Sequence, residues 1–209
     1  MGIYNSGALT TGSTSNSDVG VFLKNAISYS NTVGPVGLAA GYSVSETQGA
    51  VYSLGATYTG PVSLSAAYQS TNKPNTTDRI STLYSIGAGY TMGAFTSKLN
   101  FLRGENKNLS LADTSKVDTV GLGLDWKTAA NNTASAVVYS GKNKLVDQDK
   151  TMTFILSDEY SLSKRTTLYG TLVFADAKAN ASALTSVALT PVAKDKNTTL
   201  LNIGVKHSF

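Results

Sequence analysis

Along most of this chain, apolar and small polar residues change places at every step. Val36, Leu38, Ala40, Tyr42 and Val44 alternate with Gly37, Ala39, Gly41 and Ser43. Tyr52, Leu54, Ala56 and Tyr58 alternate with Ser53, Gly55 and Thr57; Val62, Leu64, Ala66 and Tyr68 with Ser63, Ser65, Ala67 and Gln69. The pattern returns at Tyr84–Tyr90 and again at Val120, Leu122, Leu124 and Trp126. A period of two places successive side chains on opposite faces, which is the signature of a β-strand and not of a helix. Less regular strands are expected near residues 21–30, 95–103, 133–142, 150–162 and 166–178, with a last one over 199–209. The total is eleven, with no helical segment among them.

The two faces differ in a way that a soluble domain would not tolerate. One carries Val, Leu, Ile and Tyr; the other is mostly Gly, Ser, Thr and Ala, which bury too little apolar area to form a packed core. Lipid against the first face and water against the second fit this arrangement. Aromatic residues end the apolar rows at Tyr42, Tyr52, Tyr58, Tyr68, Tyr84, Tyr90 and Trp126, where interfacial girdles would place them. The final strand repeats the pattern: Leu201, Ile203, Val205 and His207 alternate with Asn202, Gly204, Lys206 and Ser208, and Phe209 ends it. The expected fold is therefore all-β, a transmembrane antiparallel up-and-down β-barrel. Tyr42, Tyr58, Tyr68, Tyr90, Trp126 and Phe209 form its aromatic girdles.

Links between the strands alternate in length. Those at 31–35, 59–61, 91–94, 127–132 and 163–165 are short, with turn residues such as Gly34-Pro35 and Gly60-Pro61. Those at 45–50, 70–81, 104–116, 143–149 and 179–198 are longer. Bacterial barrels have tight periplasmic turns and long outer loops, so Phe209 is expected on the periplasmic side. Residues 1–20 read as an irregular segment and 21–209 as the barrel strands. Eleven antiparallel strands have the wrong parity to close on themselves, and an open edge is costly in lipid. Strand parity thus predicts partner strands outside these 209 residues. Met1–Asn5 have neither the basic start nor the apolar core of a secretory signal, so an exported chain beginning here would be mature or truncated.

Three stretches resemble one family. Tyr160-Ser161-Leu162-Ser163-Lys164-Arg165-Thr166-Thr167-Leu168-Tyr169 is similar to the last periplasmic turn of the Gram-negative general porins, in particular their β-proteobacterial branch. Val205-Lys206-His207-Ser208-Phe209 resembles that branch's C-terminal tail, and Lys24–Ser30 the strand after its constriction loop. The resemblance covers about residues 20–209. It implies a sixteen-stranded subunit that forms homotrimers, of which this chain would be strands six to sixteen. Residues 1–20 would then be a remnant of the inward constriction loop. The family's early basic cluster and acidic loop stretch have no counterpart here.

Composition narrows the chemistry. Zero Cys excludes disulfides and thiolate ligands, and 17 Lys and Arg against 13 Asp and Glu are scattered, unlike a nucleic-acid groove. A barrel hydrolase would need a convergent Ser, His and Asn, but the single His, His207, has lipid-facing parity. No catalytic residue, metal site or cofactor is expected. Charged or amide side chains with lumen-facing parity are Lys24, Lys98, Asn100, Asp125, Asn202 and Lys206. As pore-lining residues, three Lys against one Asp would lend a mild anion preference. Arg79 and Arg103 are expected at the outer rim, where salt screens them. The leading function is a passive diffusion channel for small hydrophilic solutes and ions in a bacterial outer membrane, in contact with outer-membrane lipid and lipopolysaccharide. The alternatives are a plugged barrel acting as an adhesin or surface-interaction protein and, more remotely, a translocator, for which residues 1–20 lack the helical period.

Overall fold

A computed structural model of the protein describes residues 25–44, 49–179, 181 and 196–208. Expectations for residues 1–20, Lys24 and Phe209 fall outside the described residues. The described residues form β1 (Ala26–Val33), β2 (Val36–Ser43), β3 (Val51–Tyr58), β4 (Val62–Asn72), β5 (Arg79–Met92) and β6 (Phe95–Lys107). These are followed by β7 (Asp113–Ala129), β8 (Asn132–Asn143), β9 (Lys150–Ser161), β10 (Thr166–Lys178) and β11 (Asn197–His207). All lie in a single sheet in chain order, each antiparallel to the next. This is the eleven-stranded up-and-down topology expected from the alternation. Among the described residues, β1 pairs only with β2 and β11 only with β10.

Each residue of an apolar row pairs with one of the next strand's row, so the two-faced pattern runs across the whole sheet. Leu54 pairs with Ala40 and Tyr68, Tyr68 with Tyr84, and Leu99 with Ala88 and Leu122. Adjacent side chains on one face are what holds such a sheet in register, because a slip of one residue would invert a whole strand.

Three boundaries differ from expectation. The first described strand continues to Val33 because the turn needs only Gly34 and Pro35, with Gly34 at φ 56°. The links expected at 70–81 and 104–116 shrink to 73–78 and 108–112. β5, β6 and β7 have 14, 13 and 17 residues, beyond the roughly 9–11 that a tilted strand needs to cross a bilayer. The extensions of β6 and β7 include Glu105, Lys107, Asp113 and Lys116, so hydropathy reads them as loop. Cross-strand ion pairs hold them as strand instead: Arg103 with Asp118, Lys116 with Glu105 at 2.7 Å, and Lys107 with Asp113 at 3.9 Å.

Candidate functional surfaces

The apolar face stands bare. Leu54, Ile86, Leu122 and Ile203 are 60%, 59%, 54% and 76% exposed, values that would be ruinous in water over so wide a surface. Aromatic residues flank this band on both sides. Toward the short turns lie Tyr58, Tyr90 and Trp126, all exposed, with Phe95 and Trp126 stacked at 5.9 Å. Toward the longer links lie Tyr42, exposed and 5.0 Å from Tyr52, and Tyr68, half-buried where Arg79 Nη1 donates to its hydroxyl at 3.5 Å. Tyr84 and Tyr90, on one strand, are separated by about 20 Å at the usual strand rise. That is close to the height of a lipid-facing apolar band, about 25 Å.

On the opposite face, the register brings three of the candidate residues together. Lys98 pairs across the ladder with Gly89 and Gly123, Asn100 with Gly87 and Gly121, and Asp125 with Thr96 and Ser135. Lys98 Nζ makes an ion pair with Asp125 Oδ2, both side chains partly exposed. Asn100 Nδ2 donates to the Ile86 carbonyl at 3.4 Å. The glycines carry no side chain into this group, although Tyr139 lies over Gly121 and the Ser65 hydroxyl over Gly87. Asn202 and Lys206 share the face but sit on β11, opposite Thr171 and Thr167, away from the Lys98 group.

Sequence reading missed one charge there. Glu159 pairs with Thr133 and Tyr169, which puts it on the same face as Lys206 and Asp125. Its parity was readable from the β9 alternation, but the adjacent Asp158 obscured it. The regularly paired strands thus carry Lys98 and Lys206 against Asp125 and Glu159 on this face. The face is also less uniformly polar than expected. Val137, Ile155, Val173 and Leu200 form one row across β8 to β11. Toward the longer links, Val173, Ala175 and Ala177 have no exposure, and Leu102 and Val117 are buried.

Arg103 is not a screened rim charge. It has the apolar-face parity, forks onto Asp118 with Nη2 to Oδ2 at 2.6 Å, and lies 6.0 Å from the Tyr84 ring and 5.8 Å from that of Phe101. Lys144 Nζ approaches Asp118 at 3.7 Å. The planar fork of Arg suits both the carboxylate and the rings. His207, on the apolar-face side, contacts Thr166 Oγ1 through Nδ1 at 2.9 Å. Among the described residues, no three His, Cys, Asp or Glu side chains are grouped to hold a metal ion.

Comparison with known proteins decides what kind of sheet this is. The family model for Gram-negative porins matches residues 1–180. The chain belongs to that family. Its fold is that of solved porins, with the anion-selective porin from Comamonas acidovorans superposing at a TM-score of 0.77 and 22% identity, over 90% of this chain and 60% of the other. OmpT of Vibrio cholerae, in its in-vitro folded trimer form, gives 0.67 at 15% identity, over 87% and 64%. A mutant of the Rh. blastica porin gives 0.58 at 19%, over 90% and 56%. No curated protein matches the chain by sequence. The chain spans about 60% of the length of the Comamonas porin. Family membership makes it a protein of the Gram-negative outer membrane.

Proposed function

We propose that this porin chain forms the larger part of a passive, non-enzymatic diffusion channel for small hydrophilic solutes and ions. The observation that carries the reading is the two-faced sheet. Its apolar face is exposed over most of its area, and its other face is rich in Gly, Ser and Thr with a few charges. In this reading Lys98, Asn100, Asp125, Asn202 and Lys206 line the pore, joined by Glu159 and by Lys24. Tyr42, Tyr58, Tyr68, Tyr90, Trp126 and Phe209 make up the girdles. The complete wall has sixteen strands, subunits assemble as homotrimers, and the C-terminus is periplasmic. Lipid and lipopolysaccharide surround the barrel, and residues 1–20 belong to an inward loop. The trimeric form of OmpT supports the assembly.

A mild anion preference is the finer part of the proposal. The anion-selective relative and the net charge of +4 support it, while the balanced wall charges keep it weak. Planar-bilayer recording on protein extracted from outer membranes tests the whole reading. Ohmic unitary conductance with a reversal potential displaced slightly toward the anion value is expected; no conductance at all would sink it.

One observation favours a second reading. Burial of Val173, Ala175, Ala177, Leu102 and Val117 on the polar face suits a barrel occluded toward its longer links, acting as an adhesin or surface-interaction protein. The same recording separates the two readings, because an occluded barrel inserts and stays silent.

A further inference from the structure

The charges on the polar face are not alike. Lys98 and Asp125 form an ion pair. Glu159 and Lys206 are both exposed, and among the described residues neither makes an ion pair. Strand register sets these two near each other. Glu159 on β9 is the partner of Tyr169 on β10, whose partner on β11 is Gly204. Lys206 follows two residues after Gly204, on the same face and opposite Thr167. Two strand spacings of about 4.8 Å and one two-residue step of about 7 Å put the Glu159 and Lys206 α-carbons about 12 Å apart. An aromatic ring lies between them. Tyr169 leans across β11, where a Cβ on Gly204 would collide with its Cζ and hydroxyl oxygen. The missing side chain at Gly204 thus decides where the ring rests. Thr167 and Asn202 offer a hydroxyl and an amide in the rows on either side.

An exposed carboxylate, a ring and an exposed ammonium, in that order, are complementary to a solute with a cationic end, an apolar middle and an anionic end. We propose that this part of β9 to β11 is a binding site for short zwitterionic peptides of two or three residues. The peptide's α-ammonium meets Glu159, its terminal carboxylate meets Lys206, and its carbon atoms lie on the Tyr169 ring. The span favours that length. An extended chain covers up to about 3.5 Å per residue, so three residues reach about 10 Å, and the Glu and Lys side chains close the remainder. A free amino acid carries both charges on one α-carbon and reaches both partners only if the two side chains fold over the ring. A neutral sugar would use the ring and leave both charges unmatched. The site rests on the proposed channel and gives it a solute class.

The test uses the full chain extracted from outer membranes and recorded in a planar bilayer, with trialanine, N-acetyl-trialanine, trialanine amide and sucrose added in turn. Trialanine is expected to interrupt the ion current reversibly. Each capped form should bind about three- to fivefold more weakly, and sucrose more weakly still. Glu159→Gln should lower trialanine affinity by a similar factor and abolish the effect of the N-acetyl group; Lys206→Gln should do the same for the amide. Gly204→Ala keeps both charges but displaces the Tyr169 ring, and should also weaken the block. Equal block by the free and capped peptides, block by sucrose as strong as by trialanine, or affinity unchanged in both charge variants overturns the inference. A conducting channel that trialanine never blocks sinks the inference and leaves the channel standing. Absence of any conductance sinks both.

Discussion

At the scale of single residues, the side of the sheet on which a charge lies decides its effect. Lys98 and Asp125 neutralise each other on the polar face, so in the proposed pore removing either exposes its partner's field in confined water. Asp125→Asn should shift the anion-to-cation permeability ratio upward about two- to fivefold, and Lys98→Gln should move it the other way. Reversal potentials in a salt gradient measure both; identical shifts in sign would refute the pairing. On the opposite face, Leu122 stands bare in the middle of the apolar band. Leu122→Arg should cost about 2–4 kcal/mol, whereas Ser63→Arg, on the polar face, should cost about 1 or less. Urea titration of the protein in vesicles distinguishes them. That contrast was readable from alternation alone, as was the face that Lys98, Asn100, Asp125, Asn202 and Lys206 share. The Lys98–Asp125 contact was not, because 27 residues separate the partners and only strand register brings them together.

For strands and their links, ends are where expectation and structure part. Alternation marks the membrane-crossing part of β6 and β7 but not their charged extensions, since a hydropathy pattern cannot see a cross-strand ion pair. The extensions depend on Arg103 and Asp118, whose side chains are mostly buried. Asp118→Ala leaves the guanidinium without its carboxylate in a crowded setting and should cost about 1 kcal/mol or more. Faster protease cleavage in the 108–112 link, with β2 to β4 unaffected, is the expected readout. The link between β2 and β3 depends on Gly49, held at φ 83° where a Cβ would fall on the Asn72 backbone carbonyl. A side chain there meets main chain, not a movable side chain, so Gly49→Ala should destabilise the link by more than about 1 kcal/mol. A neutral result in thermal unfolding would show that the link relaxes freely.

For the molecule as a whole, alternating link lengths carry the proposed orientation. Protease added to intact cells should cut within 73–78 or 108–112 and spare 59–61; the opposite pattern would reverse the proposed topology. The amino-acid sequence by itself determined the all-β antiparallel class, the eleven strands of the described residues and the identity of the two faces. These follow from a period of two and from which side chains lipid accepts, both local properties of the chain. Register and everything built on it were decided only in three dimensions. The Arg103–Asp118 fork, the balance of Glu159 against Lys206 and the covered row around Val173 all need strands distant in sequence laid side by side. Alternation tells a residue which way to face, but only the neighbouring strand determines what it faces with.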